Sequence, residues 1–388
     1  MTEPMAPIPS PEPIALPGPE PLLHVLLVAG FLFHAIFMNI VLGGTPIMVL
    51  TEWIAQRTQN LHFVRLGKTL AALLPGAMAL AVVLGVAPLL FVQILYGQLM
   101  YTAAILIGNV WAMVIVMLIV GYYGLYLFKY GRSLLRDWPR LRLAIGIVSA
   151  AMFLCTALVF VTMSVLMLNP ERWLAVHAHG FIEALAVPSI LPRYLHMVLA
   201  ATAGAGMVLI LYGVVLQSPW RSRIKSLGET PPNYGAWVVR YGAGWALVGT
   251  LPQIVVGPWL LMSLPPAVRG VLIDGGSTPS IVFFTALTFA LLALVLLNAS
   301  IIAPQARAFA AGGVASLAVT MSLMAVVRDR VRALWLTPHF DTTTLPVSPQ
   351  WGFIALFAVF LLFAVVLISY LVRSYIRSSP LQHEDTSI

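Results

Sequence analysis

Charged residues are scarce in this chain of 388 residues, since only 9% are Asp, Glu, Lys or Arg while 60% are apolar. A soluble domain carries roughly a quarter of its residues as charges. The composition therefore excludes a water-soluble globular protein. It indicates a chain whose main solvent is a lipid bilayer.

Cysteine is scarcer still. The single Cys155 lies in an apolar run, so there is no internal disulfide, no CxxC pair and no CxxCH motif for covalent attachment of haem c. Any haem would be bound non-covalently. The chain also lacks clustered charge: its net charge is +8, but the 21 Lys and Arg residues are scattered in short loops. This scatter reflects membrane topology and argues against nucleic-acid binding.

Long apolar runs, in contrast, are abundant, and nine of them can cross a bilayer as helices. They cover residues 22–52, 69–96, 100–128, 141–168, 192–217, 236–263, 278–301, 308–327 and 350–376. We therefore predict an all-α, polytopic transmembrane bundle of about nine helices over residues 22–376. We expect residues 1–21 to form a flexible, proline-rich lead and residues 377–388 a polar cytoplasmic tail.

The distribution of basic residues predicts the orientation. Lys and Arg favour the cytoplasmic ends of spans, and an outside N-terminus leaves only six of the 21 on the outer side. Those six are Arg172, Arg193, Arg269, Arg328, Arg330 and Arg332. The sequence thus predicts the N-terminus outside and the C-terminus inside, in agreement with an odd number of spans.

Two histidines occupy apolar spans, where an ionisable group is costly and so indicates function. His34 lies within the first span and His196 begins the fifth. A neutral imidazole there either binds a backbone carbonyl or ligates haem iron. From the residues alone, the small side chains after His196 favour ordinary helix packing. The outer loop 169–191 adds His177 and His179 on a possible surface helix.

The first span resembles subunit I of the cytochrome bd quinol oxidases. That family has a histidine followed by Phe three residues on, Leu-Gly eight and nine on, and Glu eighteen on. The matching positions here are His34, Phe37, Leu42, Gly43 and Glu52. The second, fourth and fifth spans extend the likeness through Gly85-Val86-Ala87, Gln93, Gly97, Asn169-Pro170, His196 and Val198. Spans seven to nine match in topology only.

The resemblance implies a haem protein of the respiratory chain in a bacterial-type cytoplasmic membrane. His34 would be an axial ligand to a haem of the high-spin pair, and His196 would ligate a low-spin haem b near the outer face. The family also implies a second polytopic membrane subunit as partner and quinone as a possible further cofactor. An outer-face cytochrome c is a possible electron partner.

Departures from the family pattern fall on its catalytic parts. Gln93 replaces the family's glutamate, and an amide neither ionises nor carries protons. The loop between spans six and seven, which forms much of the family's quinol site, is short. The expected methionine ligand of the low-spin haem is replaced near Phe283. The candidates for that sixth ligand are His177, His179, His339 and Met324.

The basic stretch after the eighth span admits two interpretations. Arg328, Arg330 and Arg332 either pair with haem propionates or form a solvated turn. Gln93, Arg328 and Arg330 are accordingly predicted to lie beside the cofactor.

Three functions remain open from the sequence. The first is a haem b electron-transfer subunit between the quinone pool and a partner subunit or cytochrome. The second is a divergent quinol-dependent terminal oxidase, in which Glu52, Glu183 or a partner chain handles protons. The third is a non-redox membrane scaffold or transporter, compatible with prolines inside the spans such as Pro75 and Pro88.

Overall fold

A computed structural model describes residues 14–132, 134–135, 137–218, 231–303 and 306–377. The predicted class is confirmed, because nine helices within these ranges are long and apolar enough to cross a membrane. The described chain is helical throughout apart from turns and one isolated bridge between Leu16 and Val347.

The spans are made of ten of the thirteen α-helices. They are α1 (Glu20–Thr58), α2 (Leu61–Leu106), α3 (Gly108–Tyr130), α4 (Pro139–Leu166), α7 (Ile190–Leu216), α8 (Tyr234–Thr250), α9 (Gln253–Met262), α11 (Thr278–Ile302), α12 (Ala306–Leu336) and α13 (Trp351–Arg377). Three short helices lie in loops: α5 (Trp173–His179), α6 (Phe181–Leu185) and α10 (Pro266–Ile273). Helices α8 and α9 form one span.

The boundary between the second and third spans was predicted at residues 96–100. The helix α2 has a kink there, where Tyr96 takes non-helical backbone angles (φ −133°, ψ 25°), but helix continues to Leu106. Helix α3 begins at Gly108 instead of residue 100. The apolar pattern continues through the kink, so hydropathy alone cannot locate the start of α3.

Two other spans also differ from their predicted form. The sixth is interrupted at Leu251-Pro252, because proline supplies no N–H for the helical ladder. The eighth does not stop at residue 327 but continues as helix to Leu336, with Asp329 and Arg332 buried. The interpretation of residues 328–332 as a solvated turn is therefore wrong.

Helix α1 packs against α2, α4, α7 and α12. The helices α7 and α8 pack closely because small residues line their contact. A Cβ atom added to Gly206 would lie 2.5 Å from the backbone nitrogen of Ala246, which only a glycine avoids. This agrees with the interpretation of the small residues after His196 as helix packing.

The described start of the chain meets the segment that precedes α13 at one end of the bundle. Leu16 is buried, its N–H donates to the Pro346 carbonyl (2.8 Å), and its carbonyl accepts from the Ser348 N–H (2.9 Å). The described part of the N-terminal lead is thus packed, whereas residues 1–13 lie outside the described residues. Helix α13 contacts the bundle near its start, through Phe357 against Phe91, and most of its apolar side chains beyond are exposed. The tail from residue 378 also lies outside the described residues.

Candidate functional site

The His34 imidazole is held in one orientation by the backbone of α2. Its Nδ1 donates to the Ala81 carbonyl at 2.9 Å. Since a carbonyl can only accept, the proton sits on Nδ1 and the lone pair is left on Nε2. This tautomer is the one in which histidines in proteins bind a metal through Nε2 with Nδ1 fixed by a carbonyl.

Gly85 makes room for this ring. A Cβ atom at residue 85 would lie 2.9 Å from both Cε1 and Nδ1 of His34. Any larger residue would therefore displace the imidazole from the Ala81 carbonyl. The glycine of the GVA sequence in the second span thus has a local role: it lies one helical turn after Ala81, directly against the ring.

His196 lies near the start of α7 beside the break in the sixth span. Its Nδ1 is buried and has no hydrogen-bond partner. The break at Pro252 brings Gln253 alongside, and the Gln253 Nε2 donates to the His196 carbonyl at 2.9 Å. The Gln253 Oε1 is also buried without a partner. The Gln253 side chain lies close enough to the His196 ring to interact with it. Neither atom makes a hydrogen bond of good geometry, which leaves capacity for a further group.

Three guanidinium groups lie near these histidines. Arg193, Arg328 and Arg332 are close enough to one another to interact electrostatically. The Arg328 guanidinium lies 4.5 Å from the centre of the Phe31 ring, one helical turn before His34. The Arg193 Nε is buried without a partner. Asp329 offsets one of these three positive charges, and the remaining positive charge and the unpaired donor suit an anionic group.

Arg330, in contrast, is exposed, because its position on α12 lies on the opposite side from that of Arg328 and Arg332. The structure therefore separates the predicted pair Arg328 and Arg330. The buried Arg332 lies near Arg328 instead.

A buried ionic network lies at the end of α1 that carries Glu20. The His24 imidazole lies between two carboxylates, with Nε2 at 3.0 Å from Glu20 and Nδ1 at 2.8 Å from Asp329. Arg332 approaches Asp329 at 3.5 Å, and the Thr342 hydroxyl donates to Glu20 at 2.9 Å. We call these five residues the outer network, following the predicted topology. Sequence reasoning missed it, although the sole acidic residue in the span-eight basic stretch, Asp329, was a usable signal.

A second network lies at the other end of α1. The Glu52 carboxylate pairs with Arg142 at 2.8 Å and with Arg132 at 3.0 Å, and it accepts a longer bond from Gln56 at 3.3 Å. Glu52 and Arg142 are both buried. We call Glu52, Arg132, Arg142 and Gln56 the inner network. It joins α1 to α4 and to the loop that follows α3.

The remaining predicted site residues lie elsewhere. His177 and His179 are exposed on α5, whose buried residue is Val176, and His339 is exposed after α12. Met324 is half-buried against the apolar core. Gln93 is half-buried on α2. Of the candidate sixth ligands, only Met324 lies in the interior.

These residues fit a non-covalently bound haem. A haem takes four iron ligands from its own macrocycle and needs only axial donors from the protein. His34 offers a lone pair on Nε2, His196 has an unpaired buried nitrogen, and the arginines suit propionate carboxylates. Within the described ranges no three His, Cys, Asp or Glu side chains are arranged to hold a bare metal ion.

Of the comparisons with known proteins, the one with solved structures bears on the fold. The sequence matches no protein-family model and no curated protein. Among solved structures, the chain is similar to the bd oxidase from Geobacillus thermodenitrificans, with a TM-score of 0.73 over 92% of this chain and 97% of that one. The sequence identity is 14%, so the likeness concerns the fold. The chain is a multi-pass membrane protein with a bd-oxidase-like fold.

Proposed function

We propose that the chain is a membrane haem b electron-transfer subunit that relays electrons between the quinone pool and a partner subunit or cytochrome. The observation that carries this proposal is the pair of imidazoles inside the bundle, each with a nitrogen that lacks a protein partner. His34 keeps Nε2 free because Nδ1 is bound to Ala81, and His196 has an unpaired buried nitrogen.

The chain's own residues would hold and tune the group. His34 and His196 would ligate the iron, and the Ala81 carbonyl fixes the orientation of the first ring. Arg193, Arg328 and Arg332 would receive the propionates, which would balance the positive charge that Asp329 leaves uncompensated. A haem bound there supplies a reversible one-electron change at its iron. The apolar bundle keeps water away from it.

The oxidase alternative needs an ionisable group that handles protons at the reacting haem. Gln93 cannot supply one, because an amide does not ionise. The two carboxylates considered for the role already have partners: Glu52 pairs with Arg142 and Arg132, and Glu183 lies 3.8 Å from Arg172. Electron relay has no such requirement, since it needs only fixed axial ligands. These contacts therefore favour the electron-transfer function.

The proposal includes the setting of the protein. We infer an outside N-terminus, an inside C-terminus and a bacterial-type cytoplasmic membrane, on the strength of the basic-residue distribution. We infer a second polytopic subunit because no large water-soluble electron-entry domain is encoded between the spans. The proposal also includes the division of the chain into an N-terminal lead (residues 1–21), a transmembrane bundle (22–376) and a C-terminal tail (377–388).

A reduced-minus-oxidised absorbance spectrum of the detergent-purified protein tests the proposal directly. We expect α-bands typical of haem b, and stepwise loss of these bands in His34→Ala and His196→Ala. The matched controls are His177→Ala and His179→Ala, which remove exposed imidazoles and should leave the spectrum unchanged.

Each departure from this result has a defined meaning. A flat spectrum from protein made with full haem supply would favour a scaffold or transporter. Bands that survive in both His34→Ala and His196→Ala would contradict the ligand assignment. Oxygen uptake with quinol that disappears in His34→Ala would establish the terminal oxidase instead.

A further inference from the structure

A cavity of about 360 Å³ lies at the end of the bundle that also holds the inner network. It is formed where α7 ends, α8 begins and α12 begins. Its polar lining consists of Arg240, Arg307 and Gln217, and its apolar lining includes Ala236, Val239 and Ala308. The volume is in the lower range of small-molecule sites. The cavity is distant in the fold from His34 and His196, the two histidines of the candidate site.

The lining is positively charged. Arg240 and Arg307 contribute two guanidinium groups, and no Asp or Glu among the described residues lines the cavity. The one hydrogen bond that Arg307 makes within the described chain is a long contact of 3.5 Å from Nη1 to the Gln217 carbonyl. Guanidinium groups bind phosphate through two parallel hydrogen bonds, so the chemistry selects a phosphate-bearing anion.

The surroundings favour a lipid over a free ion. Helix α11 ends at Ile302, four residues before the start of α12, and this side chain is 85% exposed. Leu291 and Val295 are exposed on the same face of α11. In a membrane this exposed face of α11 is covered by lipid chains, and it ends at the same end of the bundle as the cavity. A phospholipid at that end has its headgroup at the depth of the two arginines.

We propose that this cavity binds the phosphate headgroup of an anionic phospholipid. The inference is independent of haem binding. A membrane protein with many basic residues at one face attracts anionic lipids in general. The cavity adds a specific seat, because two guanidinium groups and a recess of defined volume act together.

Native mass spectrometry of the full chain in detergent, titrated with phosphatidylglycerol, measures this binding. The test variant is the double substitution Arg240→Gln with Arg307→Gln. The control is Arg57→Gln with Arg140→Gln, which removes the same charge from exposed residues at the same end of the bundle. We expect the test pair to weaken the tightest lipid adduct about 25-fold, at about fivefold per arginine, and the control pair to leave it unchanged.

A third variant separates the cavity from its charge. Ala308→Phe keeps both arginines but fills the recess, and it should weaken the same adduct. Equal loss in the control pair, or full binding by Ala308→Phe, would overturn the proposal, because either result indicates general attraction. Inorganic phosphate that displaces phosphatidylglycerol at equal concentration would also overturn it and identify a free-anion site. Phosphatidylcholine that binds as tightly would exclude selection for anionic lipid.

Discussion

The two ends of α1 hold buried ionic networks of opposite design. In the inner network a carboxylate, Glu52, lies between two guanidinium groups. In the outer network an imidazole, His24, lies between the carboxylates of Glu20 and Asp329.

The difference shows that the two ends of α1 are held by different interactions and serve different purposes. The inner network joins α1 to α4 and is remote from the candidate site. The outer network joins α1 to α12, and its Arg332 belongs to the arginine cluster beside the histidines. The inner end therefore acts as a structural clamp. The outer end positions α12, which carries Arg328 to within 4.5 Å of the Phe31 ring beside His34.

The largest effect is expected from breaking the inner clamp. Glu52→Gln leaves the buried Arg142 without a counter-charge, and loss of one partner of a buried ion pair costs roughly 3–5 kcal/mol of unfolding free energy. The measurement is equilibrium unfolding in mixed micelles of a denaturing detergent. The double variant Glu52→Gln with Arg142→Met should recover part of the loss, because it removes the stranded charge.

Glu171→Gln provides the control for this prediction, since Glu171 is exposed in a loop and its substitution should change the unfolding free energy by less than about 0.5 kcal/mol. A Glu52→Gln protein as stable as this control would show that the inner network contributes no net stability. The comparison between the two ends would then lose its basis.

The next effect concerns the outer network. His24→Ala leaves the half-buried Glu20 and the buried Asp329 without the imidazole between them, and we expect a loss of about 2–4 kcal/mol. A double-mutant cycle with Asp329→Ala isolates the coupling between the two side chains, expected at about 1–3 kcal/mol. Additive losses would mean that the 2.8 Å contact carries no coupling. In that case Arg332 alone would hold Asp329.

Hydropathy and residue spacing predicted the number of spans, and the reason is physical. Each crossing needs an apolar run of fixed length, so the count follows from composition alone. The spacing from His34 to Glu52 also brought both residues to attention, and both have specific partners in the structure.

The outer network could not be derived in the same way. His24 and Asp329 are 305 residues apart, so no local pattern relates them. By its hydropathy the charged stretch 328–332 resembles a loop. It is buried in the structure because residues of α1 supply its ionic partners, and no local pattern shows these partners. The second apolar run was predicted to end at residue 96, where the kink lies, but the helix that continues to Leu106 was missed because its side chains stay apolar.

A smaller effect is expected between the two ends of α1, at the contact of His34 with Gly85. Gly85→Ala places a Cβ atom against the His34 ring, which must move from the Ala81 carbonyl, at a cost of about 1–3 kcal/mol. Gly76→Ala on the same helix is the matched control, since nothing lies within 4 Å of its added Cβ. That control should gain about 1 kcal/mol from helix propensity. Equal unfolding free energies for the two variants would contradict the close contact with His34.

The smallest effect tests whether the loop beside the outer network responds to pH on its own. The pKa of Asp341 is lowered from its ordinary value because its carboxylate accepts from the backbone N–H and the hydroxyl of Thr343. A lowered folded pKa means that the contribution is present above about pH 4 and is lost as the pH falls through the folded value. Asp341→Asn keeps an acceptor oxygen at every pH. We therefore expect amide-exchange protection of Thr343 to fall between pH 5 and 3 in the wild type but not in Asp341→Asn.

The control is Asp274→Asn, which removes the corresponding capping carboxylate from another loop. It should behave at Thr343 like the wild type. A wild-type protection that stays constant would show that Thr342, through its bond to Glu20, holds the turn without help from Asp341.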